Sequence, residues 1–134
     1  MFIAVDPNKY ISILYQGRHS IHPIKVDTMM NILNKYKYAN ARCVVIDNEK
    51  QFDVGFWFGV FSAYGWKTDL VKTDEWMDYF GLYPDDKIER INHWLSVAKL
   101  RYPMMSINKK NYEVILTACY LHDKYKAEQD AVFA

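Results

Sequence analysis

The stretch that most restricts the fold is Arg42-Cys43-Val44-Val45-Ile46-Asp47. Its apolar centre shows no polar alternation, which suits a strand covered on both faces and hence a sheet with helices on either side. A second run of this kind opens the chain: Phe2-Ile3-Ala4-Val5 leads into Asp6 and then Pro7, where a backbone donor is lost and the ladder must weaken. Both runs end on a carboxylate. Two carboxylates ~4 Å apart repel by roughly 4 kcal/mol at an effective dielectric of ~20, so acids that converge call for a cation between them. An equally open reading leaves Asp6 as an acceptor for turn hydrogen bonds beside Pro7 and Asn8. Asp47 and the nearby Glu49 fall just past a strand end, where ligands gather in open α/β sheets.

The remaining elements are short. Tyr10-Ile11-Ser12-Ile13-Leu14-Tyr15 is β-rich and is broken by Gln16-Gly17-Arg18, while His19 to Lys25 suits an edge strand that tolerates Pro23. With the first strand these form an antiparallel meander. His19 and His22, on an edge, are expected to be solvated rather than metal ligands. Asp27 or Thr28 caps a helix bearing Met29, Met30, Leu33 and Tyr36 on one face and ending near Tyr38-Ala39-Asn40. Phe52 to Trp66 is a helix rich in rings, mostly core with one or two exposed. Its Gly55, Gly59 and Ala63 form a flat ridge expected to lie close on the sheet. Thr68 to Lys72 is a fifth strand, and Thr73 caps a short helix that Gly81 ends. Lys87 to Tyr102 is a helix with an apolar stripe of Ile88, Ile91, Leu95 and Ala98, and the last helix runs from Lys109 to about Lys126.

A chain of 134 residues with 51% apolar content can bury one real core, so residues 1–126 are read as a single domain and 127–134 as a flexible tail. No apolar run approaches the ~20 residues of a membrane span, and the start lacks the basic region of a signal peptide. A soluble, cytoplasmic protein is expected. Cys43 and Cys119 agree, since both sit in apolar runs without zinc-ligand spacing and read as small core residues. The net charge is +1, but residues 67–86 hold six acids against two bases and residues 87–126 hold eight bases against three acids. The second stretch can follow a phosphate backbone; lysines that are merely solvated are the plainer reading.

Three antiparallel strands, a helix, a strand, a helix, a strand and closing helices make an α/β chain whose order resembles the ribonuclease H-like fold: a five-stranded mixed sheet flanked by helices. At the level of residues the chain resembles the RuvC-like Holliday-junction resolvases, especially compact phage versions. Ile3-Ala4-Val5-Asp6-Pro7 is similar to the family's first strand and catalytic Asp, with Asn8 where Gly is usual. Val44-Val45-Ile46-Asp47 is similar to the fourth strand and its second acid, usually Glu. Gly59 and Gly65, Lys72-x3-Trp76 with Gly81-Leu82, and Tyr102-Pro103 followed by Glu113-Val114-Ile115-Leu116-Thr117-Ala118 complete an ordered match over about residues 2–121. No single motif is specific; the ordered set carries the resemblance.

The resemblance implies catalytic Asp6, Asp47 and Glu113 binding Mg2+ or Mn2+, branched DNA as substrate, a homodimer matched to two-fold DNA with exposed rings near Phe56 to Phe61 at its interface, and phosphate contacts from Lys99, Arg101, Lys109 and Lys110. One departure stands out. The family's closing helix begins with Asp-x-x-Asp, and here Glu113 takes the second place while Lys110 takes the first. Two divalent ions about 4 Å apart perform this phosphodiester chemistry, and Lys110 would repel the second ion, replace its charge beside the phosphate, or pair with Glu113 three residues away. A charge cluster without function at the helix start is the plain alternative. Two functions follow: an endonuclease on branched DNA with reduced activity, or a catalytically inactive relative that binds DNA or a protein partner, such as a host nucleic-acid enzyme.

Overall fold

The computed structural model describes the chain apart from residues 8, 48–50 and 134, and side chains apart from those of 26–28, 51–52 and 127–133. The expected roles of Asn8 and of Glu49 lie outside the described residues, and the first helix begins at Val26 with Lys25 in the cap position, ahead of the expected Asp27 or Thr28 cap.

Strands β1 (Phe2–Asp6), β2 (Tyr10–Tyr15) and β3 (Arg18–Pro23) are followed by helix α1 (Val26–Asn34), β4 (Arg42–Ile46), α2 (Gln51–Ala63), β5 (Lys67–Val71), α3 (Thr73–Phe80), α4 (Lys87–Arg101) and α5 (Tyr112–Phe133). They form one mixed five-stranded sheet in the order β3-β2-β1-β4-β5. The first three strands pair antiparallel, and β1, β4 and β5 pair parallel, with Val5 opposite Val45 and Ile46 opposite Val71.

Strand alternation splits the core in two. Ile3, Val5, Cys43 and Val45 point to α1 and α2, where Met29, Leu33, Trp57 and Phe61 close over them. Ala4, Val44 and Ile46 point to α3, α4 and α5. Helix α5 is buried without a break from Val114 to Leu121, because it lies between the sheet and the other two helices. Phe2 meets His122 and Tyr125 at 5.1 and 5.6 Å, so α5 runs antiparallel to β1, with its start above the C-terminal end of that strand.

Several elements depart from expectation. The Gly55–Gly59–Ala63 ridge faces outward, and a Cβ on either glycine would touch nothing. Val54, Trp57 and Phe61 take the inward face instead, because large side chains gain far more from burial than glycine does. In α4, Ile88 is 71% exposed and Trp94 is the buried centre of the stripe. Helix α1 stops at Asn34 and gives way to successive i→i+3 turns over Lys35 to Ala39. Helix α5 continues to Phe133, beyond its last apolar periodicity. His19 is largely covered, since it shares the α5-side face of β3 with Ile21 and Tyr102 packs edge-on to its ring at 4.7 Å.

Candidate functional site

Because β1, β4 and β5 are parallel, their C-terminal ends share one edge of the sheet. Asp6 closes β1, Asp47 follows β4 with its N–H still bonded to the Val71 carbonyl at 2.9 Å, and Lys72 and Thr73 follow β5. Asp6 is 3% exposed, and Lys9 Nζ stands 4.0 Å from its Oδ2. Lys9 is well exposed, so this pair contributes no more than about 1 kcal/mol.

Glu113 reaches the same edge from the first turn of α5. Its Oε1 accepts a 2.5 Å hydrogen bond from the Thr73 hydroxyl, forty positions away in the chain. Thr73 was expected to cap α3, but that oxygen is engaged by Glu113. The α3 start instead has Glu75 Oε1 accepting from the Lys72 N–H at 3.4 Å. Tyr112, the neighbour of Glu113, is nearly buried. Its hydroxyl pKa is pushed up first by burial and then by the Glu113 charge, Arg90 opposing and Asp6 adding to the rise. Asp6, Glu113 and Arg90 therefore lie within electrostatic reach of one phenol. Tyr83 donates to Asp78 Oδ1 at 3.0 Å; that bond raises its pKa and the Arg90 charge again opposes.

The start of α5 is built by asparagines. Asn108 Oδ1 accepts from the N–H groups of Lys110 and Asn111 at 2.8 and 3.2 Å, while Asn111 Oδ1 accepts from the Asn108 N–H at 2.9 Å. This reciprocal capping box satisfies donors that a helix start leaves open. The buried Asn111 also donates to the Ser106 carbonyl at 3.0 Å, anchoring the loop. Lys109 and Lys110 are thereby presented as exposed cations at the carboxylate edge. Among the described residues no ion pair joins Lys110 to Glu113.

The other two expected phosphate ligands lie elsewhere. Arg101 donates to both oxygens of Asp123 at 3.1 and 3.2 Å. Asp123 is eleven positions beyond Tyr112, ~16 Å along a helix rising 1.5 Å per residue. Arg101 and the exposed Lys99 thus occupy the opposite end of α4 from the carboxylates and share no face with Lys110.

Asp6, Glu113 and Asp47 are not equivalent. Val5 opposes Val45, so Ile46 rather than Asp47 is the register neighbour of Asp6. Ile46 packs with the α5-side core and Val45 with the opposite side. Alternation therefore sends Asp6 toward α5 and Asp47 toward the α2 side. Among the described residues no three His, Cys, Asp or Glu side chains are grouped to hold one ion. Two oxygen donors, Asp6 and Glu113, suit a single magnesium that keeps most of its waters. Asp47 stands one residue past the register neighbour of Asp6.

In the sequence Thr73 reads only as a helix cap, and nothing singles out Tyr112 or Arg90 as a site residue. Arg90 does carry a signal, since Arg90, Trp94 and Ala98 are four apart. Neither a protein-family model nor a curated protein sequence matches this chain. No helix among the described residues is long and apolar enough to cross a membrane.

Proposed function

We propose that this chain is a RuvC-like, metal-dependent endonuclease acting on branched DNA, built on a ribonuclease H-like sheet and working with reduced activity. The observation that carries the reading is the strand order β3-β2-β1-β4-β5, with Asp6 closing β1 at the C-terminal edge of the parallel strands and Glu113 in the first turn of α5, both within electrostatic reach of the Tyr112 hydroxyl. Asp6 and Glu113 hold Mg2+ or Mn2+, which when bound supplies Lewis-acid stabilisation of a phosphoryl oxygen. Thr73 fixes one oxygen of Glu113. Lys109 and Lys110 draw a phosphate backbone to the edge without reading its sequence. A second copy packs on the outer face of α2, where Met30, Phe56, Val60 and Tyr64 border the exposed glycines around a groove of about 580 Å³.

A second reading is favoured by the one-residue offset of Asp47 and by Lys110: a relative that binds branched DNA, or a protein, without cutting it. One experiment separates them. Purified protein is incubated with four-way junction, flap and duplex DNA in magnesium or manganese, beside Asp6→Asn. Junction cleavage lost in the variant establishes the nuclease. Tight binding that needs no metal and yields no product establishes the second reading.

A further inference from the structure

Arg90 has no part in the function proposed for this edge, and unlike the lysines around it, it is half-buried. It shares one face of α4 with Trp94 and Ala98, at four-residue intervals. Those two residues are 1% and 0% exposed, and Trp94 meets Trp76 of α3 at 5.1 Å, so the face is turned into the molecule. Arg90 extends it one turn toward the helix start and is itself half-buried. Arginine at a core-stripe position runs against the usual burial preference, and a cation near a helix N-terminus runs against the helix dipole.

The acids nearby already have partners. Asp6 faces Lys9, Glu113 holds the Thr73 hydroxyl and Asp78 holds the Tyr83 hydroxyl. Asp74, which also acts on Tyr83, is exposed to water. Among the described residues the Arg90 side chain has no ion pair and no hydrogen bond. Lys9, Lys72, Lys87, Lys109 and Lys110 stand exposed in the turns and helix starts of this same edge. A lysine fringe of this kind attracts a polyanion from a distance, and a half-buried guanidinium, whose planar fork matches two phosphate oxygens, fixes where it stops.

We propose that Arg90 binds a backbone phosphate of a nucleic acid at the carboxylate edge and so positions the strand against Asp6 and Glu113. The orientation toward the carboxylates rests on the proposed nuclease-type function; the anion-binding role of Arg90 does not. The test measures four-way-junction affinity over a salt series without divalent metal for the wild type, Arg90→Gln, Arg90→Lys and Lys67→Ala, each checked for folding by circular dichroism. Arg90→Gln is expected to weaken binding several-fold and flatten the slope of log K against log salt by about one, as for the loss of one phosphate contact. Lys67→Ala, at the start of β5 and so on the opposite edge of the sheet, keeps the wild-type slope. Arg90→Lys keeps the slope but loses affinity with the fork, and it carries the test if Arg90→Gln does not fold. Wild-type slope and affinity in both Arg90 variants overturn the proposal. If the wild type binds no DNA, the functional reading fails separately, and inorganic phosphate decides the role of Arg90. A rise in Tm with phosphate over chloride of equal ionic strength that Arg90→Gln abolishes upholds anion binding, and an equal rise, or none, in both proteins overturns it.

Discussion

His19 makes stability depend on acid in a way that can be worked out from its surroundings. Its Nε2 is hydrogen-bonded to the Ser12 hydroxyl, its Nδ1 is buried without a partner among the described residues, and Tyr102 covers the ring. Burial, and then the Arg101 charge, lower its pKa to about 4. In the unfolded chain the group titrates near 6.5. The unfolded state therefore takes up a proton first as pH falls. The stabilisation is complete above roughly pH 6.5 and is lost as pH falls toward about 4, with a limit of about 3 kcal/mol. Between about pH 7 and pH 5 the loss is about 2 kcal/mol, or about 7 °C in Tm for a chain of this size. The assay is urea unfolding across that range for the wild type and His19→Gln, which cannot take up the proton. The variant is expected to lose about 2 kcal/mol less than the wild type over the interval. Parallel pH profiles for the two proteins would refute the buried, neutral imidazole.

In the dissociated protomer, Gly59→Ala is expected to stabilise the fold by about 0.5–1 kcal/mol, since the position is helical and its new methyl meets nothing within the chain. The check is the urea midpoint at unchanged m-value, and a lower midpoint would mean that this face is covered. Thr73→Val, which removes the donor to Glu113, is expected to cost about 1–2 kcal/mol in the same assay, whereas Thr73→Ser restores it to within a few tenths. Equal losses in the two Thr73 variants would show that the hydroxyl contributes nothing there.

The strands and their order were legible in the sequence by itself because the signal is local. Unbroken apolar runs marked Phe2–Val5 and Cys43–Ile46 as strands covered on both faces, and short turns marked the meander. Asp6 and Asp47 were equally plain as acids at strand ends. The start of α4 at Lys87 agrees with the sequence, and there Asp86 accepts from the Glu89 N–H at 3.0 Å. What failed depended on which face of an element wins the core. Spacing cannot say whether the glycine ridge or the ring-bearing side of α2 turns inward, because both repeat with helical period; burial of Trp57 and Phe61 decided it.

Only the tertiary structure relates these residues to one another in space. The pairing of Val5 with Val45, a long-range register, separates Asp47 from Asp6 by a single residue and so by a face of the sheet. The Thr73–Glu113 hydrogen bond spans forty positions and exists because α5 returns antiparallel to β1. The same packing brings Arg90 within electrostatic reach of Tyr112 and carries Arg101 to the opposite end. Apolar periodicity is a property of neighbours in the chain, whereas register and helix placement are set by contacts between elements competing for the same buried surface. The acids at the strand ends were therefore readable one at a time, and their relation to one another was not.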